Sequence, residues 1–191
     1  MSKRYPKYEI SLNSRWIKDL SFEEIKAILR AADELIAAGG RSLLSKILKG
    51  SKDKKVLKHG MDSCPAYGFY KNLPLPEITK RVDWMIENDY LGIEYAGKLP
   101  VIVFSTTGWE IEKETYAEEL FQKMRQLLDT GDYSFVSELK DRNRGMILLL
   151  IKKIKHTNNP QFIPLLRAWQ FIEYKKVRAE LERAIHFLRS K

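Results

Sequence analysis

Apolar residues recur at helical spacing along most of this chain and alternate along only short stretches. Ser21 followed by Glu24 has the spacing of a capping box, in which each side chain caps the other's backbone. Ile25, Ile28, Leu29, Ala32, Leu35 and Ile36 follow on one face, so a helix is predicted from Ser21 to the Gly39-Gly40 stop. Leu43, Leu44, Ile47 and Leu48 predict a second, short helix ending at Gly50. Residues 51–73 mix Lys, Asp, Gly, Pro and Asn with scattered aromatics and read as a loop with one helical turn near Lys54–His59. A third helix starts near Leu75-Pro76-Glu77, where proline suits a first turn, and buries Ile78, Val82, Met85 and Ile86. The runs starting at Leu91 and Pro100 are strand-like, with Gly97-Lys98 between them, and predict a β-hairpin. Pro100 opens its strand, where a missing N–H is tolerated.

The order helix, helix, loop, helix, hairpin is that of a winged helix-turn-helix. Ahead of it lies an arm of residues 1–20, in which Tyr8-Glu-Ile-Ser-Leu alternates like a short strand. After about Ile111 the pattern is helical throughout and the only glycines are Gly131 and Gly145. Helices are predicted over Glu114–Leu128, Ser134–Lys140, Gly145–Lys155 and Pro160–Phe187, the last with a break near Glu173. Phe162–Ala168 and Val177–Leu181 resemble one HEAT-type helix pair, but a solenoid needs about three repeats, so a helical bundle is preferred. The expectation is a mainly α chain with a small β-wing: an arm (1–20), a winged helix-turn-helix domain (21–112) and an all-α domain, bundle or HEAT-like (113–191).

Composition narrows the classes. Of 191 residues, 44% are hydrophobic and 31% charged, which is globular and not disordered. One cysteine, Cys64, rules out an internal disulfide or a four-cysteine zinc site. His59, His156 and His186 lack metal-ligand spacing, and the longest apolar run, Met146–Ile151, is too short to span a bilayer. The N-terminus lacks the apolar stretch of a signal peptide, so an intracellular, cytoplasmic protein is expected, nucleoid-associated if the source is prokaryotic. No nucleophile–base pair, metal cluster or phosphate loop is present, so neither enzyme activity nor a cofactor is expected.

The net charge of +9 suggests a polyanionic partner. Residues 1–112 contribute +3 and residues 113–191 contribute +6. The densest cluster lies in the first part: Arg41, Lys46, Lys49, Lys52, Lys54, Lys55 and Lys58, opposed only by Asp53. It flanks the turn where a helix-turn-helix meets the phosphate backbone. A second cluster comprises Lys140, Arg142, Arg144, Lys152, Lys153 and Lys155, opposed by Asp141. Lys80 and Arg81 on the third helix are further phosphate candidates, though salt bridging on the helix surface is the plainer role for them. Trp84 suits the core or a domain interface, Trp109 a place between the halves, and Cys64 no reactive role.

Leu48-Lys49-Gly50-Ser51, the basic run to Lys58 and Tyr67-Gly68-Phe69-Tyr70-Lys71-Asn72 together resemble the RQC domain of RecQ-type DNA helicases. That family shows Leu-Arg-Gly-Ser, a short basic helix and an aromatic-Gly-x-Gly-Lys segment. The resemblance continues through Met85-Ile-Glu-Asn-Asp-Tyr-Leu and closes at Ser105-Thr-Thr-Gly108, covering about residues 21–112. Lys49 replaces the usual arginine, Tyr70 a frequent glycine, and the wing is short. The sequence contains neither the GxxxxGK[ST] loop of an ATP-driven motor nor the family's preceding zinc-binding cysteines. The resemblance therefore implies a stand-alone, RQC-like DNA-binding protein with its own helical C-terminal domain.

It also implies a binding mode, in which the wing tip stacks on the end of a duplex while the helix turn holds phosphates. By position Lys49, Ser51, Lys52 and Lys55 inherit the phosphate role, and Tyr95, Lys98 and Leu99 the wing-tip role. With the basic cluster, the DNA-binding set is Arg41, Lys46, Lys49, Ser51, Lys52, Lys54, Lys55, Lys58, Lys80, Tyr95, Lys98 and Leu99. The expected partner is DNA at duplex ends, forks or junctions, in repair, recombination or replication, with no membrane. Two alternatives stay open: a transcription regulator reading a groove through residues 75–90, and a scaffold whose C-terminal helices recruit a helicase or repair protein. The acids Glu77, Glu87 and Asp89 on the third helix count against groove reading.

Overall fold

The computed structural model describes residues 10–140 and 142–190. The chain divides into two compact units, Met1–Glu112 and Lys113–Lys191. In the first unit the helices are α1 (Phe22–Asp33), α2 (Arg41–Lys49), α3 (Lys54–Lys58) and α4 (Leu75–Glu87), followed by strands β1 (Leu91–Ala96) and β2 (Leu99–Phe104). Helix α5 (Thr106–Leu127) runs across the division between the units. The alternating stretch at residues 8–12 lies partly outside the described residues; Ile10–Leu12, which are described, form no strand.

Each helix of the first unit starts and stops for a local reason. The Ser21–Glu24 capping box is formed in both directions. Asp53 caps α3 by accepting from the Lys55 N–H at 2.9 Å. Helix α2 ends at Gly50, in the left-handed region with φ 73°. Its apolar face (Leu44, Ile47, Leu48) packs with α1 (Ile28, Leu29) and α4 (Ile78, Val82, Met85) into one core, all of them almost fully enclosed. Truncating any of these leucines to alanine is expected to cost about 2–5 kcal/mol.

Two boundaries differ from those predicted. Helix α1 stops at Asp33 and not at Gly39-Gly40, because residues 34–38 form turns that swing the chain alongside β2. There the Ala37 N–H donates to Ile102 O (2.9 Å) and the Ile102 N–H to Gly39 O (2.8 Å). Leu35 stays in the core although it is no longer helical, so the apolar rhythm outlasts the helix. Helix α5 starts eight residues before the predicted Glu114. The Ser105 hydroxyl accepts from the Gly108 N–H at 2.9 Å and starts the helix directly after β2.

The hairpin is antiparallel, with Leu91 opposite Phe104 and Ala96 opposite Leu99, so Gly97-Lys98 is the turn. Strand β2 begins at Leu99, one residue earlier than predicted, and Pro100 is its second residue. Leu91 and Ile102 face the core of this unit, and Val101, on the opposite face of β2, is buried as well. Trp84 is buried and stacks on Tyr90 (centroids 5.9 Å apart, planes at 18°), joining the end of α4 to the start of the wing.

In the second unit α6 (Arg144–His156), α7 (Ile163–Ile172) and α8 (Lys175–Arg189) follow a 3₁₀ segment at Ser134–Leu139, where a helix was predicted. Helix α8 packs against both α6 and α7, which makes a small bundle. The predicted break near Glu173 is present. Glu173 is extended and buried, and its carboxylate accepts from the Trp169 indole N–H at 2.8 Å. No helix among the described residues is long and apolar enough to cross a membrane.

Candidate nucleic-acid interface

The corner after α2 is stitched together by backbone and side chains from two separate stretches. Gly68 N–H donates to Ile47 O (3.0 Å) and Tyr70 N–H to Leu48 O (2.8 Å), so the 67–70 segment closes the C-terminus of α2. A Cβ on Gly50 would lie 3.1 Å from Gly68 Cα, in a backbone conformation that side chains rarely adopt. The Tyr67 hydroxyl reaches Ser51 O at 3.2 Å. Lys49 Nζ donates to Lys71 O (2.6 Å) and Leu73 O (2.9 Å) and ties the loop to the helix that precedes it. The Leu-Lys-Gly-Ser and Tyr-Gly-Phe-Tyr stretches are thus two halves of one joint.

Tyr70, where glycine is common in the family pattern, is buried and donates to Glu24 Oε1 at 3.0 Å. Burial pushes its phenol well above the usual range, and the facing Glu24 carboxylate adds to the shift. For Glu24, burial acts to raise the pKa. Hydrogen bonds from Ser21 and Tyr70 and the charge of Arg81 outweigh it and hold the carboxyl below its ordinary value. The Arg81 guanidinium also lies over the Tyr70 ring, 5.5 Å from its centroid.

The cations predicted from sequence separate into two groups. Arg41 pairs with Asp83 at 2.8 Å and also donates to Ser11 O. Asp83 is only 3% exposed and also accepts from Asn13 N–H, so this pair is structural. Lys46 pairs with Asp53 at 2.8 Å, and that bond holds the Asp53 carboxyl below its usual range. Lys80 pairs with Glu77 at 2.7 Å, and Arg81 donates to Glu77 O. Lys49 is held by the two carbonyls of the loop. By contrast Lys52, Lys54, Lys55 and Lys58 are exposed, and none makes a side-chain hydrogen bond or close ion pair among the described residues, although the charge of Lys55 helps to hold the Asp53 carboxyl low. Ser51 is half-buried, and its hydroxyl accepts from Asp53 N–H at 3.3 Å.

At the wing, Leu99 is 68% exposed beside the turn and Lys98 is exposed within it. Tyr95, two residues from the turn and opposite Pro100, is half-buried. Sequence reasoning passed over two residues of this unit. Leu57, on α3 between the free lysines, is 45% exposed, and Phe69, in the closing segment, is 46% exposed. Helix α3 is short and buries only Val56, so the adjacent Leu57 faces outward.

The wing's closing motif has a steric basis. A Cβ on Gly108 would lie 1.9 Å from Tyr90 O, and the Ser105 hydroxyl donates to Asp89 O at 2.5 Å. The end of α4, the start of β1 and the start of α5 therefore meet at one point that admits no side chain. Three helices around one core, a hairpin wing closed on that core and a solvent-facing row of cations mark a DNA-binding module of the winged-helix class.

Comparison with known proteins makes the class specific. Residues 18–126 match the family model of the RQC domain, and the chain belongs to that family, the DNA-binding winged-helix domain of RecQ helicases. Among curated proteins it is similar to the ATP-dependent DNA helicase RecQ of Bacillus subtilis (strain 168), 26% identical over 103 residues. The match covers 46% of this chain and 17% of that helicase. No solved structure matches significantly.

Proposed function

We propose that this chain is a non-catalytic, intracellular DNA-binding protein that engages duplex ends, forks or junctions, and does so in repair, recombination or replication. The observation that carries the reading is the row Lys52, Lys54, Lys55 and Lys58, exposed and without a side-chain hydrogen bond or close ion pair among the described residues, around the corner that the family motif builds. Cations already paired in the fold must give up a partner to hold a phosphate. These four need not, and each phosphate they neutralise releases counterions. Leu99 at the wing tip supplies the exposed apolar surface that abuts a terminal base pair, with Lys98 beside it for the backbone and Tyr95 behind it. Leu57, between Lys55 and Lys58 on α3, adds exposed apolar surface next to the lysines.

The regulator reading is less well supported. Lys80 and Arg81, the cations that helix α4 would bring to a groove, are both engaged by Glu77. Fluorescence anisotropy on forked, blunt, hairpin and single-stranded substrates at several salt concentrations tests the proposal. The expected result is tighter binding to forked and blunt duplexes with little sequence preference. Equal affinity for all four substrates would overturn structure-specific binding, and a strong preference for one sequence would favour a regulator.

A further inference from the structure

The second unit carries a groove unrelated to the winged helix. It has a volume of about 440 Å³ and lies between Leu139, residues 142–147 and residues 173–177. Its floor is aliphatic, made by the buried Leu139, Ile147 and Val177. Its rim holds four cations, Arg142, Arg144, Lys175 and Lys176, all exposed. Among the described lining residues the one carboxylate is Glu173, buried and accepting from the Trp169 indole N–H and from Tyr174 N–H, so the four rim cations outnumber the acids lining the groove.

The placement of these cations is unfavourable for the fold itself. Arg144 sits in the first turn of α6, and Lys175 and Lys176 in the first turn of α8, with no acid in either turn. Helix dipoles favour acids at that end and disfavour bases. An anion brought from outside would offset three cations at the positive ends of two helices, around an apolar floor. Nucleic acid fits less well, because bases stack on flat aromatic faces and the floor is aliphatic. Tyr174, the one ring among the described lining residues, already has the Lys140 ammonium 5.4 Å from its centroid.

We infer that this groove binds an acidic segment of a partner protein that inserts an aliphatic side chain between flanking carboxylates. Carboxylates meet the rim, and the side chain fills the floor in the manner of a peptide anchored in an apolar groove. The probe is a fluorescein-labelled peptide of about twelve residues, rich in glutamate with two central leucines, titrated with the full chain. Binding is expected to weaken as salt rises, to fall at least tenfold in Lys175→Glu/Lys176→Glu and in Arg144→Glu, and to fall similarly when the leucines are replaced by serine. Lys52→Glu should leave it unchanged. The charge reversals improve the helix first turns, so melting temperature should hold or rise slightly. Failure to bind, indifference to the reversals or to loss of the leucines, or loss of binding in Lys52→Glu would overturn the inference. If the reversals weaken binding of a DNA duplex as much as that of the peptide, the groove is a nucleic-acid site and the inference is likewise overturned.

Discussion

Helices α2 and α3 are neighbours in sequence and equally basic, yet their charges do different work. On α2, Arg41 neutralises the buried Asp83, Lys46 pairs with the cap of α3, and Lys49 binds two carbonyls of a loop more than twenty residues ahead. On and before α3, Lys52, Lys54, Lys55 and Lys58 face solvent without a side-chain hydrogen bond or close ion pair among the described residues, although the charge of Asp53 acts on Lys55. A charge count treats all seven alike. The difference shows that only charges the fold has not already used are free to meet a phosphate without first breaking a bond.

The two helices should therefore respond in opposite ways to substitution. The largest effect is expected at the joint on which the whole unit rests. Gly108→Ala forces backbone apart at Tyr90 and should cost more than about 3 kcal/mol, read by urea denaturation. Arg41→Ala leaves Asp83 buried and unpaired and should cost about 3 kcal/mol, with any loss of DNA binding tracking the loss of folded protein. Lys52→Ala and Lys55→Ala should leave the melting temperature unchanged while each lowers the salt slope of DNA binding by about 0.9. Leu99→Ala should also spare stability, and should reduce the preference for ends over continuous duplex without changing the salt slope.

The smallest effect concerns pH. Glu24 titrates below its unfolded value, so its stabilising contribution is present above the ordinary carboxylate range and is lost as pH falls through the lowered folded value. Glu24→Gln should flatten the acid side of the stability curve of the wild type, measured by thermal melts from neutral pH downward.

Local signals carried much of this fold. The capping box at Ser21, the stop at Gly50, the helical turn at α3, the Gly97-Lys98 hairpin and the break at Glu173 each depend on residues within a few positions of one another, so they can be read directly. The errors occur where distant contacts decide. The end of α1 is set by pairing with β2, some seventy residues later, and Leu35 keeps its apolar place after the helix has stopped. The start of α5 was hidden because Ser105-Thr-Thr-Gly108 reads as the close of a wing, although the same serine caps a helix.

The site was legible as a location and not as a division of labour. The basic cluster is plain in the sequence, but the partner of Arg41 lies forty-two residues away. The acceptors of Lys49 are backbone carbonyls, which no side-chain pattern reveals. Leu57 and Phe69 were missed because an exposed apolar residue looks like a core residue until the size of its helix or loop is known.

The contrast between the two helices is tested most directly by the salt dependence of binding to a forked duplex. Lys52, Lys54, Lys55 and Lys58 would be replaced together by alanine, and log K followed against log salt beside the wild type. The expected result is a slope shallower by about 3 to 4 with an unchanged melting temperature, as loss of four phosphate contacts requires. An unchanged slope would contradict the assignment of the free lysines of α3 as the phosphate grip and would place the DNA elsewhere on the chain.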